Sequence, residues 1–107
     1  MEFIRYNPAL AEPLPGSKGV NYIAVRAGGR MAAMLLRFDA RGDTGKRAVG
    51  TDIILSVVSG SGTVRSGSTV ADVKVGDVLI LPGGGLQHHI WTNADRFEVI
   101  LLTVPSK

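Results

Sequence analysis

Both histidines and the single tryptophan of this 107-residue chain fall within six residues, Gln87-His88-His89-Ile90-Trp91-Thr92. An imidazole changes charge near neutral pH, which suits it to general acid–base work. A glutamine amide both donates and accepts hydrogen bonds, and an indole offers a broad apolar wall. A polar pair beside an apolar wall is the usual makeup of a small-molecule pocket. A His-His pair on a strand also reads as one packed and one solvated ring, and Trp91 as core. There is no cysteine, so disulfides, thiol catalysis and thiolate metal sites are excluded, in keeping with an intracellular protein.

The surrounding pattern is one of short apolar runs separated by glycine turns. The runs are Tyr22–Arg26, Met31–Phe38, Asp52–Ser59, Gly62–Arg65, Thr69–Val73, Asp77–Leu81, Gln87–Thr92 and Phe97–Val104. Strands at this spacing predict a β-sandwich or barrel. Only Arg30–Phe38 holds enough Met, Ala and Leu to pass for a helix; nine residues among strands read as a strand. Residues 1–21 carry three of the five prolines, so they form an N-terminal arm with one edge strand over Glu2–Tyr6, and residues 22–107 form a single barrel domain. Within a strand over Gln87–Thr92, Gln87, His89 and Trp91 share one face, and His88, Ile90 and Thr92 share the other.

The phrase Gly76-x5-Pro82-x-Gly84, followed by a strand that opens with histidine and ends in Asn93, resembles the second conserved motif of the cupin superfamily, G-x5-P-x-G-x2-H-x3-N. Ile54–Val64 resembles the end of the first motif, with Gly60 as its closing glycine. The resemblance covers about residues 30–104. It implies an all-β fold, a cupin-type double-stranded β-helix or jelly-roll barrel.

That family's first motif supplies two histidines and a glutamate to a divalent cation. Counting back from Gly60 puts Ile53 at the glutamate, and the histidine positions fall among Lys46, Arg47, Ala48 and Val49. No firm cofactor follows, and a divalent metal is disfavoured. If one binds, its ligands come from His88, His89, Asp52 and Glu98. In the second motif Gln87 takes the histidine position with no gap, and His89 takes it with two extra residues. Both lie on the same strand face, and the family turns its motif histidine into the barrel. Gln87, His89 and Trp91 are therefore expected inside, and His88 not.

On this basis His89 is the candidate catalytic residue, Gln87, His89, Trp91 and Arg47 are the candidate ligand-binding set, and Lys46 or Arg47 would steady an oxyanion. Arg37, in an otherwise apolar strand, reads either as an anion-binding arginine or as a rim charge. The resemblance implies a small-molecule ligand, sugar- or carboxylate-like, with a metal-independent isomerase- or epimerase-like activity. Its alternatives are a non-catalytic binding or regulatory module, and a metal-dependent cupin with unusual ligands. Small cupins commonly pair their outer sheet faces, so a homodimer is expected through the 31–38 and 97–104 strands. The net charge of +3 is scattered, which argues against a nucleic-acid partner. No apolar run reaches the roughly 20 residues of a membrane span, and the N-terminus lacks a signal-peptide pattern, so the expected location is the cytoplasm.

Overall fold

The computed structural model describes residues 5–27 and 31–104. The edge strand expected over Glu2–Tyr6 lies largely outside them, and the glycine break at Gly28-Gly29 wholly so. Among the described residues the chain is built from β1 (Glu12–Pro13), β2 (Lys18–Ala27), β3 (Met31–Asp43), β4 (Arg47–Ala48), β5 (Asp52–Ser66), β6 (Thr69–Lys74), β7 (Val78–Leu81), β8 (Gln87–Trp91) and β9 (Phe97–Val104). No helix there is long and apolar enough to cross a membrane. The ambiguous Met/Ala/Leu stretch is β3, paired along its length with β2 and β9.

The strands form one antiparallel sheet in the order β1-β2-β3-β9-β5-β8-β4, with β6 and β7 also pairing with β5. The 15-residue β5 is the spine. Its first half pairs with β7 and β9, and its second half with β6 and β8. The sheet therefore folds over on itself along β5, and the two halves enclose an aliphatic core, the jelly-roll arrangement.

Expected as a turn, Ser59–Gly62 is instead an irregularity within this one strand, where the β5–β9 register shifts between Val57 and Ser59. Gly60 makes the bend feasible. Its φ is +73°, and a Cβ there would sit 1.7 Å from the Arg96 carbonyl oxygen. At Gly62 a Cβ would fall 2.4 Å from the Phe97 ring, which packs against this strand.

Strand alternation then sorts the side chains. Leu36, Val99 and Val57 meet across three neighbouring strands and face inward, each at most 2% exposed. Burying such a side chain contributes roughly 1.5–3 kcal/mol. The rings of Phe38 and Phe97 pack at 4.9 Å with a 49° tilt, adding about 0.5–1.5 kcal/mol beyond burial.

Gly60→Ala should lower the unfolding free energy by about 1–3 kcal/mol, because the bend cannot admit a side chain. Gly50→Ala, which meets open space, should stay close to wild type. Urea denaturation measures both, and a wild-type midpoint for Gly60→Ala would contradict the bend as described.

Candidate functional site

The direction of each side chain on β8 follows from its partners. Val64 pairs with Ile90, Arg65 with His89 and Ser66 with His88 on one side; Arg47 pairs with His88 on the other. Directly paired residues point to the same side of a sheet. Val64 and Ile90 are both buried in the core, so this side is the interior. Two residues either way from Ile90, His88 and Thr92 face inward too, and both are buried.

The orientation is thus the reverse of the one expected from the motif. His88 lies inside the barrel, while His89 and Trp91 are on the outer face and Gln87 is exposed. The reason is the glycine turn before β8. Gly84 and Gly85 both take positive φ, at +79° and +85°, and Gly85 N–H donates to Val49 O at 2.8 Å. This turn holds one residue more than the motif spacing, not none or two. An odd shift exchanges the two faces of a strand.

His88 is 5% exposed and lines a cavity of about 340 Å³ inside the barrel. Met34, Leu36, Ile53, Leu81, Ile90 and Leu101 give most of its wall, and Thr44, Thr51 and Thr103 add hydroxyls. Arg47 also lines it, as expected of a ligand-binding residue, together with Val49. Among the described lining residues Arg47 and His88 are the ones that can carry charge.

Leu14 closes one side of the cavity from the arm, 8% exposed. Sequence reasoning missed it, because a lone leucine between Pro13 and Pro15 carries no periodic signal. Three hydrogen bonds fix the course of the arm, and the last of them ties it to the barrel. Leu14 N–H donates to Val20 O at 2.9 Å, Ser17 Oγ donates to Leu14 O at 2.6 Å, and the Arg47 guanidinium donates through Nη2 to Pro15 O. Arg47 Nε donates to Thr44 O at 3.1 Å. A guanidinium has five N–H donors, so these two bonds do not exhaust it.

His88 Nε2 lies 2.8 Å from Pro82 O. A carbonyl only accepts, so Nε2 carries the proton and Nδ1 the lone pair in the neutral ring. Nδ1 is buried and has no hydrogen-bond partner, a state that costs about 1–3 kcal/mol.

The positions counted from the cupin first motif do converge. Arg47, Val49 and Ile53 line the same cavity as His88. Their chemistry does not fit a divalent cation: one imidazole, a guanidinium and two aliphatic chains offer one ligand and a repelling charge. The alternative set is not brought together either. His88 and His89 point to opposite faces, Asp52 Oδ1 accepts from Gly83 N–H at 2.8 Å, and Glu98 lies 3.5 Å from Arg37 Nε on the outer face. Among the described residues no three His, Asp or Glu side chains form a group suited to a metal. At Arg37 the 3.5 Å approach is a charge contact without hydrogen-bond geometry, since Nε is buried and unpartnered; the guanidinium carbon also lies 3.9 Å from the Tyr6 ring centroid.

Outside the barrel, His89 Nε2 lies 2.6 Å from Asp43 Oδ1. The Trp91 ring packs on the imidazole at 4.5 Å with a 46° tilt. Burial pushes the Asp43 carboxyl up, but the Gly45 N–H, the His89 hydrogen bond and charge, and Lys18 outweigh it and hold the group below its ordinary value.

No family model matches the sequence, and no curated protein matches it. The fold does have solved counterparts. An RmlC-like cupin from Shewanella frigidimarina is 16% identical with a TM-score of 0.79, over 100% of this chain and 94% of that one. KdgF from a Halomonas species is 19% identical with a TM-score of 0.77, over 91% and 86%. A Thermotoga maritima protein described as a predicted oxalate decarboxylase is 15% identical with a TM-score of 0.77, over 96% and 100%. At these identities the likeness shows the fold: the chain has the cupin jelly-roll.

Because the folded Asp43 carboxyl sits below its ordinary value of 3.8, its stabilisation is complete above that pH and is lost as pH falls through the lower folded value. From about pH 5 downwards, the stability difference between wild type and Asp43→Asn should hold to about pH 4 and shrink below it, with a value of about 1 kcal/mol or less for a pair this exposed. Denaturation at several pH values measures it. A difference that grows towards low pH would contradict the pairing.

Proposed function

We propose that this chain, which has the cupin fold, binds a small carboxylic acid with an apolar body inside its barrel, without a metal. The observation that carries this reading is the cavity itself: an aliphatic wall of about 340 Å³ interrupted by one guanidinium and one imidazole. Arg47 is the anchor for an anionic end, since charge-assisted hydrogen bonds from a guanidinium to a carboxylate are among the stronger polar contacts. The aliphatic wall favours a carboxylate with an apolar body over a sugar, whose many hydroxyls would lose water without partners. One solved counterpart is described as a predicted oxalate decarboxylase, an acid-handling relative by fold, which is supporting analogy and no more.

His88 takes the role first expected of His89. Its Nδ1 lone pair is the acceptor for a ligand hydroxyl or an acidic C–H proton, and it is the one imidazole lining the cavity. Removal of a carbon-bound proton by His88 and its return from the same imidazole to a neighbouring atom, of the isomerase kind, is the chemistry this equipment supports. Binding without turnover is the second reading, favoured by the lack of any carboxylate among the lining residues to act as a second acid or base. A cysteine-free protein of this kind fits a cytoplasmic setting.

The partner we propose is a second copy of the chain, docked on the outer face of β2, β3, β9, β5 and β7. Register lines up Ile23, Leu35, Ile100, Ser56 and Val78 in one row, and Ala33, Leu102, Ile54 and Ile80 in the next. Val78 is 65% exposed and Ile80 71%. Four strands of roughly 20–25 Å and the four-residue β7 of roughly 13 Å, about 4.8 Å apart, project to about 500 Å², and side-chain relief adds to the area that a partner would cover.

Two measurements test these proposals. In a thermal-shift and calorimetric series of short aliphatic and aromatic monocarboxylates against matched alcohols and sugars, the acids should bind. Arg47→Met should weaken them at least tenfold, about 1.5–3 kcal/mol, and Arg47→Lys less so. Equal binding of alcohols and acids, or none at all, would contradict the reading. By light scattering at micromolar concentration, wild type should be dimeric and Val78→Lys/Ile80→Lys monomeric and folded. A monomeric wild type, or a dimeric double variant, would rule out this face.

A further inference from the structure

The outer side of β8 holds a second cluster that the barrel reading does not use. Arg65 on β5 is paired directly with His89. On the other side of β8, Arg47 pairs with His88 and Ala48 with Gln87, so the register carries Lys46 to a place beside His89. One cross-strand row therefore reads Lys46, His89, Arg65. Like charges directly opposite on neighbouring strands destabilise a sheet, so a row of three groups able to carry positive charge needs compensation. Asp43 supplies it at His89 alone. Among the described residues neither Lys46 nor Arg65 has a carboxylate within salt-bridge distance. Arg65 Nε donates to Gly67 O at 3.1 Å, which fixes where its guanidinium sits.

These side chains converge on a dent of about 70 Å³ lined by Lys46, Arg65, Gly67, Gln87 and His89, and by His88, whose ring is turned to the barrel side. It is far smaller than the barrel cavity, and in contrast to it the side chains at its rim are polar. Gln87 adds an amide able to donate. Trp91, packed on His89 at 4.5 Å, follows on the same strand face, outside the residues that line the dent.

We propose that this outer dent is an anion site for a phosphate group, with Arg65 and Lys46 as the charged anchors, Gln87 as a further donor, His89 as part of its wall, and Trp91 beside it for whatever the phosphate is attached to. The shared chemistry is a compact tetrahedral oxyanion. It comes either from free phosphate or from a phosphomonoester that carries a planar group. The proposal does not depend on the barrel reading, because its residues face the opposite side of β8.

The test is calorimetric titration with inorganic phosphate and, separately, phenyl phosphate, at constant ionic strength set with sodium chloride. Both should bind, with chemical-shift changes at the amides of Gly67, Gln87 and His89. Arg65→Met and Lys46→Met should each weaken binding at least tenfold, while Lys74→Met, a cation outside the dent, should leave it unchanged. Phenyl phosphate binding several-fold tighter than the inorganic ion, with the advantage lost in Trp91→Ala, identifies the monoester as the natural form; equal affinities identify the free ion. All variants lie on the outer surface, and an unchanged thermal midpoint without ligand confirms that each folds. No binding at 20 mM, or binding as strong in both Arg65→Met and Lys46→Met as in wild type, would overturn the proposal.

Discussion

The site depends on which way one five-residue strand faces, and that is set by the packing of Ile90. Paired with Val64 and buried beside it, this isoleucine has a single comfortable direction. Turning β8 over would expose it and push His89 and Trp91 into an aliphatic interior. Two further bonds lock the choice. Thr44 Oγ1 accepts from Ile90 N–H at 3.1 Å, and Thr92 Oγ1 donates to Ser61 O at 2.7 Å. Hydrophobic burial chooses the face, and these hydrogen bonds near the C-terminal end of the strand hold it.

Adjacent residues of one sequence thus live in opposite surroundings. His88 has an aliphatic cavity on one side and a backbone carbonyl on its Nε2. His89 has a carboxylate, an indole and cationic neighbours. The barrel side is equipped for an apolar molecule with one charged end, and the outer side for a small anion. β8 is the shared wall, so a change in its phase would abolish both sites together.

The barrel itself was legible in the sequence. Short apolar runs between glycine turns marked most of the strands, and Gly76–Pro82 matched a known motif closely enough to place β7. Counting back from Gly60 reached Arg47 and Ile53, and both line the cavity. That count succeeded because β5 runs unbroken through Gly60, although Ser59–Gly62 read as a turn. The phase of β8 was not legible. Its preceding turn is three glycines, and glycines admit loops of several lengths at little cost, so motif spacing could not fix how many residues the turn takes up. One clue was present: Ile90, the only aliphatic residue among Gln87–Thr92, should mark the inner face. It was outweighed by the family spacing. Leu14 carried no signal at all, since its role appears only when the arm is folded back over the barrel.

The most direct test of this arrangement is the reactivity of the two imidazoles towards diethyl pyrocarbonate, with the modified residue located by mass spectrometry. The account predicts that His89, with 22% of its side chain exposed, is modified first, and that His88 resists until the protein unfolds. Modification of His88 in the native protein, at or above the rate of His89, would place the wrong ring in the barrel and contradict the account.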